Sequence, residues 1–119
     1  MARILLAEDD DSLRKFLAQN LARAGHHVEA YEDGDGAWEA LERADFDLLL
    51  TDIVMPGVDG IELARRAAER RPQLKIVFIT GFAAVALAQA TAAQQRAKVL
   101  SKPFHLKDLV AEVERVIAA

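Results

Sequence analysis

Five short aliphatic runs, each followed by a segment with helical spacing, constrain this chain more than any other feature. The runs are ILLA (4–7), VEAY (28–31), FDLLL (46–50), KIVFI (75–79) and AKVL (97–100). Runs this short read as strands rather than helices. Residues 12–24 place Leu13, Phe16, Leu17 and Leu21 on one face, with Gly25 as a stop. Residues 35–43 carry Ala37, Trp38 and Leu41, and residues 60–70 carry Ile61, Leu63, Ala64 and Ala67 ahead of Pro72. Residues 83–95 are mostly alanine and glutamine, and residues 106–117 line up Leu106, Leu109, Val110 and Val113. Strict alternation with short connections predicts an α/β fold, a five-stranded parallel sheet with helices on both faces. The near-continuous aliphatic strands agree, because parallel strands are buried on both sides.

Length and composition narrow the function classes. At 119 residues the chain suits one domain over 1–119 and is too short for two. No cysteine is present, which excludes a disulfide framework, a thiol nucleophile and Cys-ligated zinc. The net charge of −4 argues against a nucleic-acid-binding surface. The opening MARILLAEDD lacks the apolar core of a signal peptide, and no run approaches the ~20 apolar residues of a membrane helix. A cytoplasmic protein without membrane contact is expected. His26, His27 and His105 have no partners at ligand spacing and read as solvated side chains.

Ligands of open α/β sheets sit outside the carboxyl ends of the strands. The first strand is followed by Glu8, Asp9 and Asp10, the third by Asp52, the fourth by Thr80, and the fifth by Ser101 and Lys102. Asp52 could be a capping aspartate, but Met55–Pro56 intervenes, and Asp59–Gly60 is the better helix start. Clustered carboxylates raise one another's pKa unless a cation intervenes. A hard cation with oxygen ligands, such as Mg²⁺, suits them and leaves positions open for phosphate and water. A metal and a lysine facing a strand-end aspartate make a phosphoryl-transfer site, with Asp52 able to act as the nucleophile. Gly34 and Gly36 in EDGDG do not form a nucleotide-cradling loop, so the phosphoryl donor must supply its own binding.

The acidic pair Glu8–Asp9 in ILLAEDD, Asp52 in DIVMPGVDG, Thr80 in FITG, and Lys102–Pro103–Phe104 together resemble the receiver domains of two-component response regulators. The resemblance covers nearly the whole chain. It implies a flavodoxin-like or CheY-like (βα)5 fold with strand order 2-1-3-4-5. The stretches MARILLAEDD, TGFAAVAL and KVLSKPFHL further resemble single-domain regulators of alphaproteobacterial cell-cycle control, a group associated with proteolysis by Clp-type ATP-dependent proteases.

By that resemblance Asp52 is the phosphoacceptor, and Asp9, Glu8, Asp52 and the backbone carbonyl of Val54 hold Mg²⁺. Thr80 donates its hydroxyl to the phosphoryl group, and Lys102 pairs with Asp52 and then with the phosphoryl oxygens. The Lys102–Pro103 peptide is expected to be cis. A histidine kinase or histidine phosphotransferase is the implied donor. With no output domain, phosphorylation would bias a two-state equilibrium in the fourth and fifth strand–helix region. Output would then pass through a protein partner, a Clp-type protease or adaptor being the candidate. Capping of the first helix falls to Asp11 or Ser12 on this reading.

The chain also departs from the family. Val99 stands where an aromatic often precedes the lysine, and Val54 and Phe82 occupy positions that often carry polar groups. Two rival readings follow from the same residues. A haloacid-dehalogenase-type Mg²⁺-dependent phosphatase also uses a strand-end aspartate, but usually needs a second acid where Val54 stands. A flavodoxin-like binder of an anionic cofactor is disfavoured by the acidic cleft.

Overall fold

In a computed structural model that describes residues 1–81 and 97–119, the five aliphatic runs form a single sheet. The strands are β1 (Arg3–Ala7), β2 (His27–Tyr31), β3 (Leu48–Asp52), β4 (Lys75–Thr80) and β5 (Lys98–Ser101). All pairs are parallel, in the order β2-β1-β3-β4-β5. The helices among the described residues are α1 (Asp11–Arg23), α2 (Gly34–Arg43), α3 (Gly60–Arg70) and α4 (Leu106–Ala118). The expected helix over 83–95, and Phe82 before it, lie outside the described residues.

Helices cover both faces, as the alternation predicts. On one face Leu5, Leu49 and Phe78 pack with Leu41 of α2 and Leu63 and Ala67 of α3. On the other, Ile4, Leu50 and Val77 pack with Leu17 and Leu21 of α1 and Leu109 and Val113 of α4. Successive strand residues point to opposite faces, so one run supplies both cores. Every residue of the central strand β3 is buried, whereas the edge strand β2 is partly open.

Local signals set most helix ends. Asp59 caps α3 by accepting from the Glu62 N–H at 2.8 Å, and Gly25 ends α1 with a φ of 99°. Three readings need correction. Asp10, not Asp11 or Ser12, caps α1, accepting from the Leu13 N–H at 2.8 Å. The third strand starts at Leu48, two residues later than the aliphatic run, although Asp47 already donates its N–H to the Arg3 carbonyl at 2.8 Å and accepts the Arg3 N–H on its carboxylate at 2.7 Å. It also runs through Asp52, so the carboxylate stands on the last residue of the strand. His26 is not solvated either. Its side chain is buried, Nδ1 accepts from the Ala2 N–H at 3.2 Å, and Nε2 lies 3.5 Å from Glu114 Oε1.

Candidate functional site

Parallel pairing aligns the strand ends, and this brings the expected residues together. Asp52 pairs in register with Ile79, Thr80 with Ser101, and Ala7 with Thr51. Two bonds prolong the ladder past the last strand residues. The Glu8 N–H donates to the Tyr31 carbonyl at 3.1 Å, and the Lys102 N–H donates to the Thr80 carbonyl at 2.8 Å. The Lys102–Pro103 peptide is cis, as the resemblance implies.

Glu8, Asp9 and Asp52 each offer a carboxylate oxygen within 4.8 Å of the others. Glu8 is fully buried and Asp52 nearly so, while Asp9 faces solvent. The Lys102 ammonium bridges the two buried acids, 3.0 Å from Glu8 Oε1 and 2.8 Å from Asp52 Oδ2. The remaining oxygens are also held. Glu8 Oε2 accepts from the Asp10 N–H at 3.0 Å, and Asp52 Oδ1 accepts from the Ile53 N–H at 2.6 Å.

One ammonium shared by two buried carboxylates leaves one of them short of compensation. Burial pushes the Glu8 carboxyl from 4.5 up to about 7, and the Asp52 charge adds to this. The Asp10 N–H and Lys102 oppose the rise without cancelling it. Burial disfavours the charged form of Lys102 as well, yet its bonds to Asp52 and Glu8 outweigh this and hold its pKa above the ordinary value. Lys102 is therefore a fixed positive charge, and Glu8 is the group that yields near neutral pH. An all-oxygen donor set with excess negative charge fits a hard divalent cation.

Thr80 is fully buried at the end of β4, and its hydroxyl donates to the Gly81 carbonyl in a long 3.4 Å bond. Val54 is 69% exposed beside Asp52, and Val99 lies half-buried opposite Phe78. Supporting residues escape a reading of the sequence. The Thr51 hydroxyl donates to the Asp52 carbonyl at 2.8 Å. Gly60 is more than a turn residue, because a Cβ there would lie 1.9 Å from the Asp52 carbonyl oxygen. Its N–H donates to the Ile53 carbonyl at 2.8 Å, which seats the start of α3 directly on the strand end. The Asp-Gly pair at 59–60 signals a helix start, but carries no sign of this close approach.

Comparison with known proteins agrees with this geometry. The family model described as response regulator receiver domain matches residues 4–114. The chain is 60% identical over 119 residues to the response regulator receiver protein CpdR of Brucella abortus, covering all of this chain and 99% of that one. It is 33% identical over 118 residues to a segment of the sensor kinase CckA of the same organism, covering 98% of this chain and 12% of the kinase. Among solved structures, a CheY-like response regulator receiver domain protein from Methanospirillum hungatei superposes with a TM-score of 0.92 at 27% identity, covering 99% of this chain and 94% of that one. Such domains take up a phosphoryl group and do not turn over a substrate. Fold, strand-end residues and similarity along the whole chain converge, and the chain belongs to the response regulator receiver domain family.

Proposed function

We propose that this chain is a stand-alone receiver domain over residues 1–119 whose phosphoacceptor is Asp52. The observation that carries the reading is the Lys102 ammonium, seated between Asp52 Oδ2 and Glu8 Oε1 at the carboxyl end of the sheet. Asp52 Oδ1 is tied to the backbone Ile53 N–H, whereas Oδ2 faces the Lys102 ammonium that can shift to an incoming phosphoryl group, so on this reading Oδ2 attacks. As its bond to phosphorus forms, the N–P bond of a phosphohistidine donor breaks, and the imidazole leaves with the electron pair. Lys102 passes from Asp52 to the phosphoryl oxygens, and Thr80 exchanges its long bond to the Gly81 carbonyl for one to the same group. The donor set of Glu8, Asp9 and Asp52, with the backbone carbonyl of Val54, suits Mg²⁺, which when bound supplies charge neutralisation for the phosphoryl oxygens.

A histidine kinase or histidine phosphotransferase feeds the site, a reading supported by the similarity to part of the sensor kinase CckA. Output passes to a protein partner. Similarity to CpdR favours regulated proteolysis by a Clp-type protease, engaged directly or through an adaptor. The protein works in the cytoplasm without nucleic-acid or membrane contact. The net charge of −4 fits this, and no described helix is long and apolar enough to cross a membrane. Intact mass after incubation with acetyl phosphate and Mg²⁺ tests the reading. A stoichiometric phosphoryl gain that Asp52→Asn lacks is expected. Labelling that persists in Asp52→Asn overturns the assignment, and rapid turnover of acetyl phosphate overturns the signalling role in favour of a phosphatase.

A further inference from the structure

The structure assigns Arg14 a role in the selectivity of the cation site, an inference that rests on the metal reading above. Arg14 is on the second turn of α1 with a side chain only 15% exposed. Its Nη1 donates to the Glu8 carbonyl at 3.0 Å, and its Nη2 to Asp11 Oδ1 at 2.6 Å. The Glu8 carbonyl belongs to the peptide plane that joins Glu8 to Asp9, two of the proposed ligands. That plane is rigid, so holding its oxygen fixes the direction in which Asp9 leaves the strand.

The other ties of this turn act on its neighbours. The Glu8 N–H is held by Tyr31, Glu8 Oε2 by the Asp10 N–H, and the Asp10 carbonyl by the Arg14 N–H at 2.9 Å. Asp9 has no hydrogen bond of its own among the described residues, and it faces solvent. Its placement therefore depends on the planes on either side. Arg14 reaches one of them from the helix, with its guanidinium fork anchored on Asp11.

Charge and positioning predict opposite outcomes, which makes the role testable. Arg14 stands beside the acidic run Glu8–Asp11. Coulomb's law alone says that deleting its charge should tighten every divalent cation. Positioning says that a loosened turn should weaken Mg²⁺, which demands near-octahedral oxygens at about 2.0–2.1 Å. Ca²⁺ tolerates longer and irregular contacts and should hold or gain affinity. Arg14 is thus a positioning residue that acts through the Glu8 carbonyl.

The test titrates the full chain with MgCl₂ and with CaCl₂, without phosphodonor, following calorimetric heats and amide NMR shifts. Wild type, Arg14→Gln and Arg14→Lys are compared. The ratio of Mg²⁺ to Ca²⁺ affinity should fall roughly tenfold in Arg14→Gln, the lower end of what outer ligand contacts contribute. Arg14→Lys keeps the charge but lacks the fork, and its ratio should fall as well. An unchanged ratio in both variants overturns the inference. So does a parallel gain for both ions in Arg14→Gln, or full rescue by lysine, since each assigns the effect to charge. Wild type that binds neither ion refutes the cation reading itself, a result distinct from all of these.

Discussion

In metal-free protein, raising the pH should cost stability through Glu8. Its carboxyl titrates near 7 in the folded chain against an ordinary value of 4.5. Each pKa unit corresponds to about 1.4 kcal/mol, so the whole interval amounts to roughly 3 kcal/mol. Because the folded value is raised, the contribution is fully present below about 4.5 and is lost as pH rises through about 7. Between about pH 5 and about pH 8 the loss should be about 2–3 kcal/mol. Lys102, shifted upward from 10.5, acts above this window, and Glu62, lowered to about 2 by its hydrogen bonds to Arg65 and Arg66, acts below it. The assay is urea unfolding in EDTA across that range, followed by Trp38 fluorescence. Glu8→Gln is the control, since subtracting its profile removes the titration of every group that does not interact with Glu8, and Lys102, which does, titrates above this window. A difference between the two proteins that stays constant with pH would refute the reasoning. Millimolar Mg²⁺ should flatten the wild-type slope, because an ion held by the ionised carboxylate opposes its protonation.

Other perturbations probe the same site. Lys102→Met strands two buried carboxylates and should destabilise the metal-free protein by about 2 kcal/mol, below the usual cost of breaking a buried pair because Lys102 keeps some solvent contact; an unchanged urea midpoint would count against the shared ion pair. Gly60→Ala forces a Cβ onto the Asp52 carbonyl oxygen and should cost about 3 kcal/mol, the upper part of the overpacking range. A thermal midpoint within experimental error of wild type would show that α3 can shift away from the strand end. Val54→Asn places a polar group at an exposed position beside Asp52 and should hasten loss of the acyl phosphate, measured by mass after removal of the donor. An equal or slower rate would sink the argument that an apolar residue there withholds help from the attacking water.

The alternation of aliphatic runs and helical spacings was enough to read a parallel sheet with helices on both faces, because each signal is local. Strand burial shows as consecutive aliphatics such as Leu48–Leu50, and the start of α3 shows as the Asp59 cap. The acids, the hydroxyl and the lysine of the site were legible for a related reason, since each stands at a strand end and parallel strands end together. What the tertiary structure decided is everything that depends on distance across the chain. The Lys102 ammonium meets Glu8 across 94 residues. Burial and the nearby Asp52 charge push the Glu8 carboxyl up against the pull of Lys102, while the two carboxylates hold Lys102 charged. His26 read as solvated until the Ala2 N–H and Glu114 enclosed it. The close approach of Gly60 to Asp52 and the grip of Arg14 on the Glu8 carbonyl leave no trace in spacing or composition. A backbone oxygen carries no side-chain identity, so its partner is settled by packing alone.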